Sequence, residues 1–252
     1  MRIVSLVPSL TELLFALGLG PHMVGRTGFC IHPDPAVKAV PKMGGTKNVD
    51  EAAVIAAEPT HLVVNIDENE KPTIERLMQA LPHTRLVVTH PCTMLDNRGL
   101  YAQFGDVFDC QPRARALIES FDQVHAPIAA TRYEPLPVIY LIWKDPWMTV
   151  SAQTYIADAL ACVGLEVRAP VSDRRYPEIQ WEHFAPGPRD RVLFSSEPYR
   201  FGKAHATAFA RDHGLPEPHC LLIDGEMTSW YGPRAIEGLT YLAQLRSRID
   251  RS

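Results

Sequence analysis

The chain has 252 residues, of which 46% are hydrophobic and 21% charged, and its formal net charge is −4. This length suits one large domain or two lobes of about 100–120 residues, each able to bury a core. The apolar fraction excludes intrinsic disorder, and the mean hydropathy of −0.09 excludes an integral membrane protein, so we expect no membrane insertion. Because a phosphate-binding surface is normally basic, nucleic acid is not an expected partner.

In the first 90 residues, short apolar runs alternate with helical patterns. A strand at 3–7 is followed by Ser9-Leu10-Thr11-Glu12, a capping box that predicts a helix with Ser9 as its N-cap and Gly18 at its end. A similar start at 48–51 precedes a second helix, which Pro59 ends. The pattern then predicts a strand at 62–66, a helix at 73–81 and a strand at 85–89.

The rest of the chain begins with a longer helical pattern, from 112 to 131, which would span roughly 30 Å. The alternation then resumes, with strands at 138–142, 192–195 and 221–223, a helix at 152–163 that Gly164 stops, and a closing helix at 233–248. Continuous apolar strands between helices indicate parallel sheets covered on both faces. We therefore predict an α/β fold of two parallel-sheet lobes joined by one long bridging helix, with lobes at 1–110 and 133–252 and the helix at 111–132.

Signatures of catalysis and of metal binding are missing from the sequence. It contains no GxGxxG, no GxxxxGK[ST] and no GxSxG, so nothing in it specifies an enzyme. Its five cysteines include no CxxC pair and are expected to be reduced thiols, and no two histidines lie within five residues of each other. The glycine-rich segment 44–48 is either an anion-binding nest or a plain turn. We expect no catalytic residue, no metal site and no required cofactor.

Aromatic and polar side chains follow the predicted strands, where α/β proteins bind their ligands. Trp143 and Trp147 follow the strand at 138–142, Glu197 and Tyr199 follow the strand at 192–195, and Trp230 lies before the last helix. Each tryptophan alone is as consistent with core packing as with binding. Together, these residues indicate a large, flat, partly polar ligand.

The sequence resembles class III periplasmic binding proteins, the helical-backbone metal-receptor superfamily, most closely the vitamin B12-binding proteins of the BtuF type. The resemblance rests on four segments in collinear order, which begin with Arg2-Ile3-Val4-Ser5-Leu6-Val7-Pro8-Ser9-Leu10-Thr11-Glu12. The others are Gly44-Gly45-Thr46-Lys47-Asn48 with the helix and strand after it, Pro146-Trp147-Met148-Thr149-Val150, and Ser229-Trp230-Tyr231-Gly232-Pro233-Arg234.

This resemblance implies a non-enzymatic protein that binds cobalamin, or a related corrinoid or metal chelate, in a cleft between the lobes. Aromatic side chains would pack on the ring, and Asn65, Glu68 and Arg234 would pair with its amides and phosphate. The positions that match are Pro8, Ser9, Asn65, Asp67, Glu68, Trp143, Trp147, Glu197, Tyr199, Trp230, Tyr231 and Arg234.

Three alternatives stay open at this stage. A ferric siderophore would call for a basic cluster, and only Arg200, Lys203 and Arg234 lie near these loops. Haem would call for an axial tyrosine or histidine, for which Tyr199, Tyr231, His32 and His90 are candidates. An enzyme acting on a corrinoid or tetrapyrrole would use Glu197 or Asp67 as its acid or base.

Two departures from the superfamily concern location and partners. The chain opens on a strand rather than a secretory leader, so we expect a cytoplasmic monomer. The alternative is a periplasmic ABC-transporter substrate-binding subunit for cobalamin, a ferric siderophore or haem, if the sequence begins after a removed leader. Transport members also dock on a permease through a glutamate on each lobe. The first position falls near Ala52, beside Glu51, and the second on Ser229, near Glu226. We therefore expect the binding site to be retained and the permease docking to be doubtful.

Overall fold

The computed structural model describes residues 1–251, and within that range the chain forms nine strands and nine α-helices. The strands are β1 (Ile3–Ser5), β2 (Met23–Arg26), β3 (His61–Asn65), β4 (Arg85–Thr89), β5 (Leu136–Trp143), β6 (Met148–Thr149), β7 (Leu165–Val167), β8 (Arg191–Ser195) and β9 (Cys220–Ile223). The helices are α1 (Pro8–Ala16), α2 (Glu51–Ala56), α3 (Lys71–Ala80), α4 (Asp96–Val107), α5 (Gln111–Ala130), α6 (Tyr155–Ala161), α7 (Lys203–Asp212), α8 (Gly225–Ser229) and α9 (Arg234–Ile249).

The chain divides into two compact units, each with its own sheet. Unit 1 comprises Met1–Pro91, Arg98–Ile118 and Tyr231–Pro233, and unit 2 comprises Cys92–Asn97, Glu119–Trp230 and Arg234–Ser252. The expectation of an α/β fold with two lobes and parallel sheets is confirmed. The lobe boundaries at 110 and 133 stay a prediction, as does the placement of the ligand.

The sheet of unit 1 has the strand order β2-β1-β3-β4, and all its pairings are parallel. Alternate strand residues form one core face, because side chains of a strand point to opposite sides of the sheet. Val4, Leu62 and Val64 on that face pack with Ile74 and Leu77 of α3. The carboxyl ends of all four strands therefore meet at one edge, where the loops that follow them lie together.

The sheet of unit 2 has the order β6-β5-β8-β9, with β7 also paired to β5. The pairings of β5, β7, β8 and β9 are parallel, and the two-residue strand β6 is antiparallel to β5. Ile139, Leu141, Val192 and Phe194 form one core face, against which Phe209 of α7 packs. The loops after β5, β8 and β9 again leave the sheet at a common edge.

The long helix predicted at 112–131 is α5, Gln111–Ala130, which contains Pro127. Proline has no amide proton and disturbs a helix interior, yet this proline lies in the last turn, where its cost is smallest. The residues of α5 up to Ile118 belong to unit 1 and those from Glu119 to unit 2.

Both predicted helix starts differ from the structure. Helix α1 begins at Pro8, its N-cap is Val7, and no side chain caps it, so Ser9 lies inside the first turn. The fixed φ of proline suits the first helical position, and this moves the start ahead of the capping box. At α2 the cap is Asp50, which accepts from the amide of Ala53 at 3.0 Å, rather than Asn48.

Candidate functional site

In unit 1, the polar residues after β3 mainly hold the loop in which they lie. The Asn69 side chain accepts from the amide of Asn65 at 2.9 Å and donates to the carbonyls of Leu6 at 3.1 Å and Thr46 at 2.9 Å. The Asn65 side chain accepts from the amide of Asp67 at 2.8 Å and donates to Thr89 at 3.3 Å. Both asparagines are buried, and their side-chain amides bond to backbone groups and to the Thr89 hydroxyl of the same unit.

Two carboxylates of the same loop have defined partners. Asp67 Oδ1 lies 3.4 Å from Nε2 of His90, which directly follows β4, and both side chains are partly exposed. Glu68 Oε1 accepts a 2.6 Å hydrogen bond from the hydroxyl of Tyr231, which is buried. Burial raises the pKa of Tyr231 well above its ordinary value, and the negative charge of Glu68 adds to the effect.

The first predicted contact, at the start of α1, is only partly accessible. Ser9 is 3% exposed, and Pro8 is half-buried at the first position of the helix. In this state Ser9 offers almost no surface to a ligand.

The exposed apolar side chains of this edge were not predicted. Phe29 and Ile31 follow β2 and are 63% and 48% exposed, and Ile66 follows β3 and is 58% exposed. The buried guanidinium of Arg26 holds the first of these loops by donating to the carbonyls of Val37 at 2.8 Å and Cys30 at 3.0 Å. The sequence feature that could have indicated these positions is the pair of large apolar residues in the loop after β2. The sequence pattern did not predict β2 as a strand, so this loop was not placed at the sheet edge.

The glycine-rich segment after Met43 forms a turn. Gly44 has φ of +81°, and the amide of Gly45 donates to the carbonyl of Asn48 at 2.8 Å. The amide expected for an anion nest is therefore used within the turn, which supports the plain-turn alternative.

In unit 2, the loops after β5 and β8 bring two aromatic rings together. Trp143, the last residue of β5, meets Tyr199 edge to face, with ring centroids 5.6 Å apart and an interplanar angle of 78°. Trp143 is 40% exposed, and the Tyr199 amide donates to the carbonyl of Ile142 at 3.3 Å. We call these two residues the aromatic pair. It presents indole and phenol surface at the carboxyl edge of the sheet.

Glu197 bonds to the last residue of α8 and to Trp230, which follows it; all three lie in unit 2. Its Oε1 accepts from the Ser229 hydroxyl and from the indole Nε1 of Trp230, both at 2.8 Å. Burial raises the pKa of Glu197, the two hydrogen bonds lower it, and Glu226 and Asp224 raise it, so that the pKa stays above its ordinary value.

Arg234 and Trp230 pack against each other. The guanidinium carbon of Arg234 lies 5.3 Å from the centre of the Trp230 ring, and Nη1 lies 3.7 Å from Oε2 of Glu226. Trp230 is 8% exposed, and the Arg234 side chain is 10% exposed. The predicted role of Arg234 in binding a phosphate therefore competes with a carboxylate of its own unit.

Trp147 packs into the core of unit 2. Its ring stacks on Phe201 at 5.9 Å and meets Phe209 at 5.5 Å and Trp181 at 6.0 Å. Of the two tryptophans predicted after β5, only Trp143 therefore offers substantial surface.

Two hollows of unit 2 lie elsewhere, one of about 640 Å³ between α5 and α9 and one of about 410 Å³ beside Val171. No group of three or more histidine, cysteine or acidic side chains within residues 1–251 is arranged to hold a metal ion. Across that same range, no helix is both long and apolar enough to cross a membrane.

Comparison with known proteins identifies the family. A family model described as periplasmic binding protein matches residues 3–216, most of the chain. The chain belongs to this family. No curated protein sequence matches it.

Solved structures match over nearly the whole chain. The periplasmic vitamin B12 binding protein BtuF of Vibrio cholerae is 15% identical, with a TM-score of 0.82, and the match covers 100% of this chain and 98% of that one. The periplasmic heme-binding protein RhuT from Roseiflexus sp. RS-1 is 18% identical, with a TM-score of 0.83 and 98% of each chain covered. IsdE of S. aureus, solved with heme, is 20% identical, with a TM-score of 0.79, and the match covers 98% of this chain and 97% of that one. At these identities the likeness establishes the fold.

The family settles two expectations. This is a solute-binding protein and not an enzyme, which confirms the expectation drawn from the sequence and removes the enzyme alternative. The similar structures are named for vitamin B12 or heme as the solute that those proteins bind. The expectation of a cytoplasmic protein is wrong, because the family and the similar structures are described as periplasmic.

Glu51, beside the first position of the family's docking glutamates, and Ser229, at the second, both have contacts within the chain. Glu51 forms an ion pair with Arg76, whose Nη2 lies 2.6 Å from Oε1 and whose Nε lies 3.2 Å from it. Ser229 donates its hydroxyl to Glu197. The loss of permease docking stays a prediction.

Proposed function

We propose that this chain is a substrate-binding subunit for a metal-centred macrocycle, with cobalamin or a related corrinoid as its first candidate ligand. The observation that carries the proposal is the aromatic pair, which offers two rings at the carboxyl edge of a parallel sheet. A substituted planar ring gains from such surfaces both by apolar burial and by edge-to-face contacts.

The charges of unit 2 favour a ligand that is not strongly anionic. Glu197, Asp224 and Glu226 are three carboxylates around α8, and Arg234 lies beside one of them. Like charges facing each other disfavour binding, so an anionic ferric siderophore suits these loops less well than a corrinoid with neutral amide groups.

A second candidate ligand is haem, supported by His90 and Asp67 in unit 1. A histidine that coordinates a metal usually donates its other ring N–H to a carboxylate, which fixes its orientation. The 3.4 Å approach of Asp67 Oδ1 to His90 Nε2 provides such a partner. His90→Ala should then weaken hemin binding and leave cyanocobalamin binding unchanged.

The experiment is a parallel titration with cyanocobalamin, hemin and a ferric siderophore, followed by tryptophan fluorescence and ligand absorption. Saturable binding of cyanocobalamin near one equivalent supports the corrinoid assignment. Binding of hemin alone supports the second candidate, and binding of the siderophore alone refutes both.

Variants then assign the contacts. Trp143→Ala should weaken cyanocobalamin binding about 30-fold, as expected for an aromatic residue at the centre of a binding site. Trp147→Phe, a change in the core of the same unit, is the matched control and should leave affinity near that of the parent. The cyanocobalamin affinity of Phe29→Ala tests whether the exposed residues of unit 1 also contact the ligand. Equal affinity of parent and Trp143→Ala would contradict the proposed role of the aromatic pair.

A further inference from the structure

Sequence reasoning placed Glu197 among the ligand contacts, but its side chain is bonded within unit 2. The oxygen Oε1 accepts two hydrogen bonds, from the Ser229 hydroxyl and from the Trp230 indole. Ser229 is the last residue of α8, and Trp230 is the first residue after it. Glu197 thus fastens the loop after β8 to the end of α8.

The backbone around Glu197 is fixed as well. Its carbonyl accepts from the Ser195 hydroxyl at 2.6 Å, and the Ser196 hydroxyl accepts from the amide of Gly225 at 2.8 Å. A Cβ at Gly225 would collide with the Glu197 side chain, so the glycine is what allows α8 to begin this close to the loop.

The aromatic pair depends on this loop. Tyr199 follows Glu197 by two residues, and its ring packs against Trp143. If the carboxylate released Ser229 and Trp230, the loop would lose this side-chain anchor. Tyr199 would then be held by its amide bond to Ile142 and by its ring contacts with Phe201 and His205, so the aromatic pair would be less firmly positioned.

We propose that Glu197 is a positioning residue whose ionised carboxylate holds Trp230 and, through the loop after β8, the aromatic pair, so that protonation of Glu197 loosens this arrangement and weakens ligand binding. This inference rests on the proposed function for its consequence in binding. The anchoring itself is independent of any ligand. The only chemical change in this proposal is the gain of one proton by the Glu197 carboxylate.

In any pH experiment, the titration of Glu197 must be distinguished from the titration of the groups that face it. They are Asp224 and Glu226 on α8, Arg234 on α9, and Tyr140 of β5, which donates to Ser195 at 3.0 Å. An ionised carboxylate is the stronger acceptor, since hydrogen bonds to charged groups are shorter and stronger than neutral ones. Because burial raises the pKa of Glu197, the carboxylate gains its proton at a higher pH than a solvated glutamate does.

The first test uses the ligand-free protein. The indole N–H signal of Trp230, identified by its loss in Trp230→Phe, is followed by NMR from pH 8 down to about pH 4, which includes the ordinary range of glutamate and the pH values above it. We expect this signal to shift with one titration step that Glu197→Gln abolishes. The step should persist in Glu166→Gln, an exposed control, and in Asp224→Asn and Glu226→Gln. The proposal is overturned if the Trp230 signal shows the same pH dependence in the parent and in Glu197→Gln.

A second variant covers the case in which Glu197→Gln does not fold. Ser229→Ala removes one donor and keeps the carboxylate. Because the hydrogen bond from Ser229 lowers the pKa of Glu197, the midpoint of the pH titration followed by the Trp230 signal should move to higher pH. An unchanged midpoint contradicts the proposed hydrogen bond.

The binding test uses cyanocobalamin at the same pH values. Affinity of the parent should fall about fivefold as Glu197 gains its proton, the equivalent of one net hydrogen bond. Glu197→Gln, whose amide oxygen still accepts a bond from Trp230, should bind with little dependence on pH. If cyanocobalamin does not bind, the corrinoid assignment fails, and the NMR titration still decides the role of Glu197. If it binds with the same pH dependence in parent and Glu197→Gln, the coupling to binding is refuted.

Discussion

In unit 1 the two asparagines after β3 are buried and hydrogen-bonded within the unit, whereas in unit 2 the residues at the ends of β5 and β8 include aromatic rings with exposed surface. The side chains of Asn65 and Asn69 accept from backbone amides of the same loop, while Trp143 is 40% exposed. Both loops lie at the carboxyl ends of parallel strands, so position at a strand end does not decide whether a side chain is exposed. The two loops differ in whether the side chain already has hydrogen-bond partners inside its unit.

The same contrast occurs within unit 2 between two tryptophans four positions apart. Trp147 touches three aromatic rings of the core, and Trp143 touches Tyr199 at the sheet edge. Trp147→Ala should therefore reduce the free energy of unfolding by about 3 kcal/mol, because it leaves a large void among packed rings. Trp143→Ala, its matched control, should cost less than about 1 kcal/mol. Urea unfolding measures both, and similar losses would remove the distinction between core and edge.

For unit 1, the sharpest change is Asn69→Ala. It leaves the Asn65 amide and the carbonyls of Leu6 and Thr46 without their partner, and we expect a loss of about 2 kcal/mol in the free energy of unfolding. Asn48→Ala, at an exposed position, should change it by less than about 0.5 kcal/mol. If both variants unfold at the parent's urea midpoint, the Asn69 bonds contribute nothing to stability and the contrast with unit 2 is weaker than proposed.

The strands were the most predictable part of the fold. Val63, Val87 and Leu193 lie in short apolar runs that only a buried parallel strand explains, and β3, β4, β5, β8 and β9 were found from such runs. Strand β2 was missed, because Gly25 and Arg26 weaken its apolar pattern, and the burial of Arg26 depends on carbonyls that come from a later loop. Helix α4 was missed as well, since Gly99 and Gly105 both count against a helix in sequence.

The candidate site was predicted less well than the fold. The sequence places Trp143, Glu197 and Tyr199 after strands, but it cannot show that Glu197 bonds to Ser229, 32 positions away. Nor does it show that Trp147 turns inward, because an aromatic residue near a strand end fits a core and a binding edge equally well. These outcomes depend on tertiary contacts, which local patterns do not encode.

The smallest expected effect concerns Tyr231 of unit 1 and tests whether its hydroxyl is as fully engaged as the buried asparagines. Burial and Glu68 raise the pKa of Tyr231 in the folded chain, so the unfolded chain loses this proton first as the pH rises past about 10. Stability from this group is therefore complete below pH 10 and falls at higher pH, by about 1.4 kcal/mol per pH unit for one proton. The stability advantage of the parent over Tyr231→Phe should shrink by about 1 kcal/mol between pH 10 and pH 11 in urea unfolding, because half of the unfolded chains have already lost this proton at pH 10. An advantage that stays constant with pH would mean that the phenol ionises as readily in the folded chain as in the unfolded one.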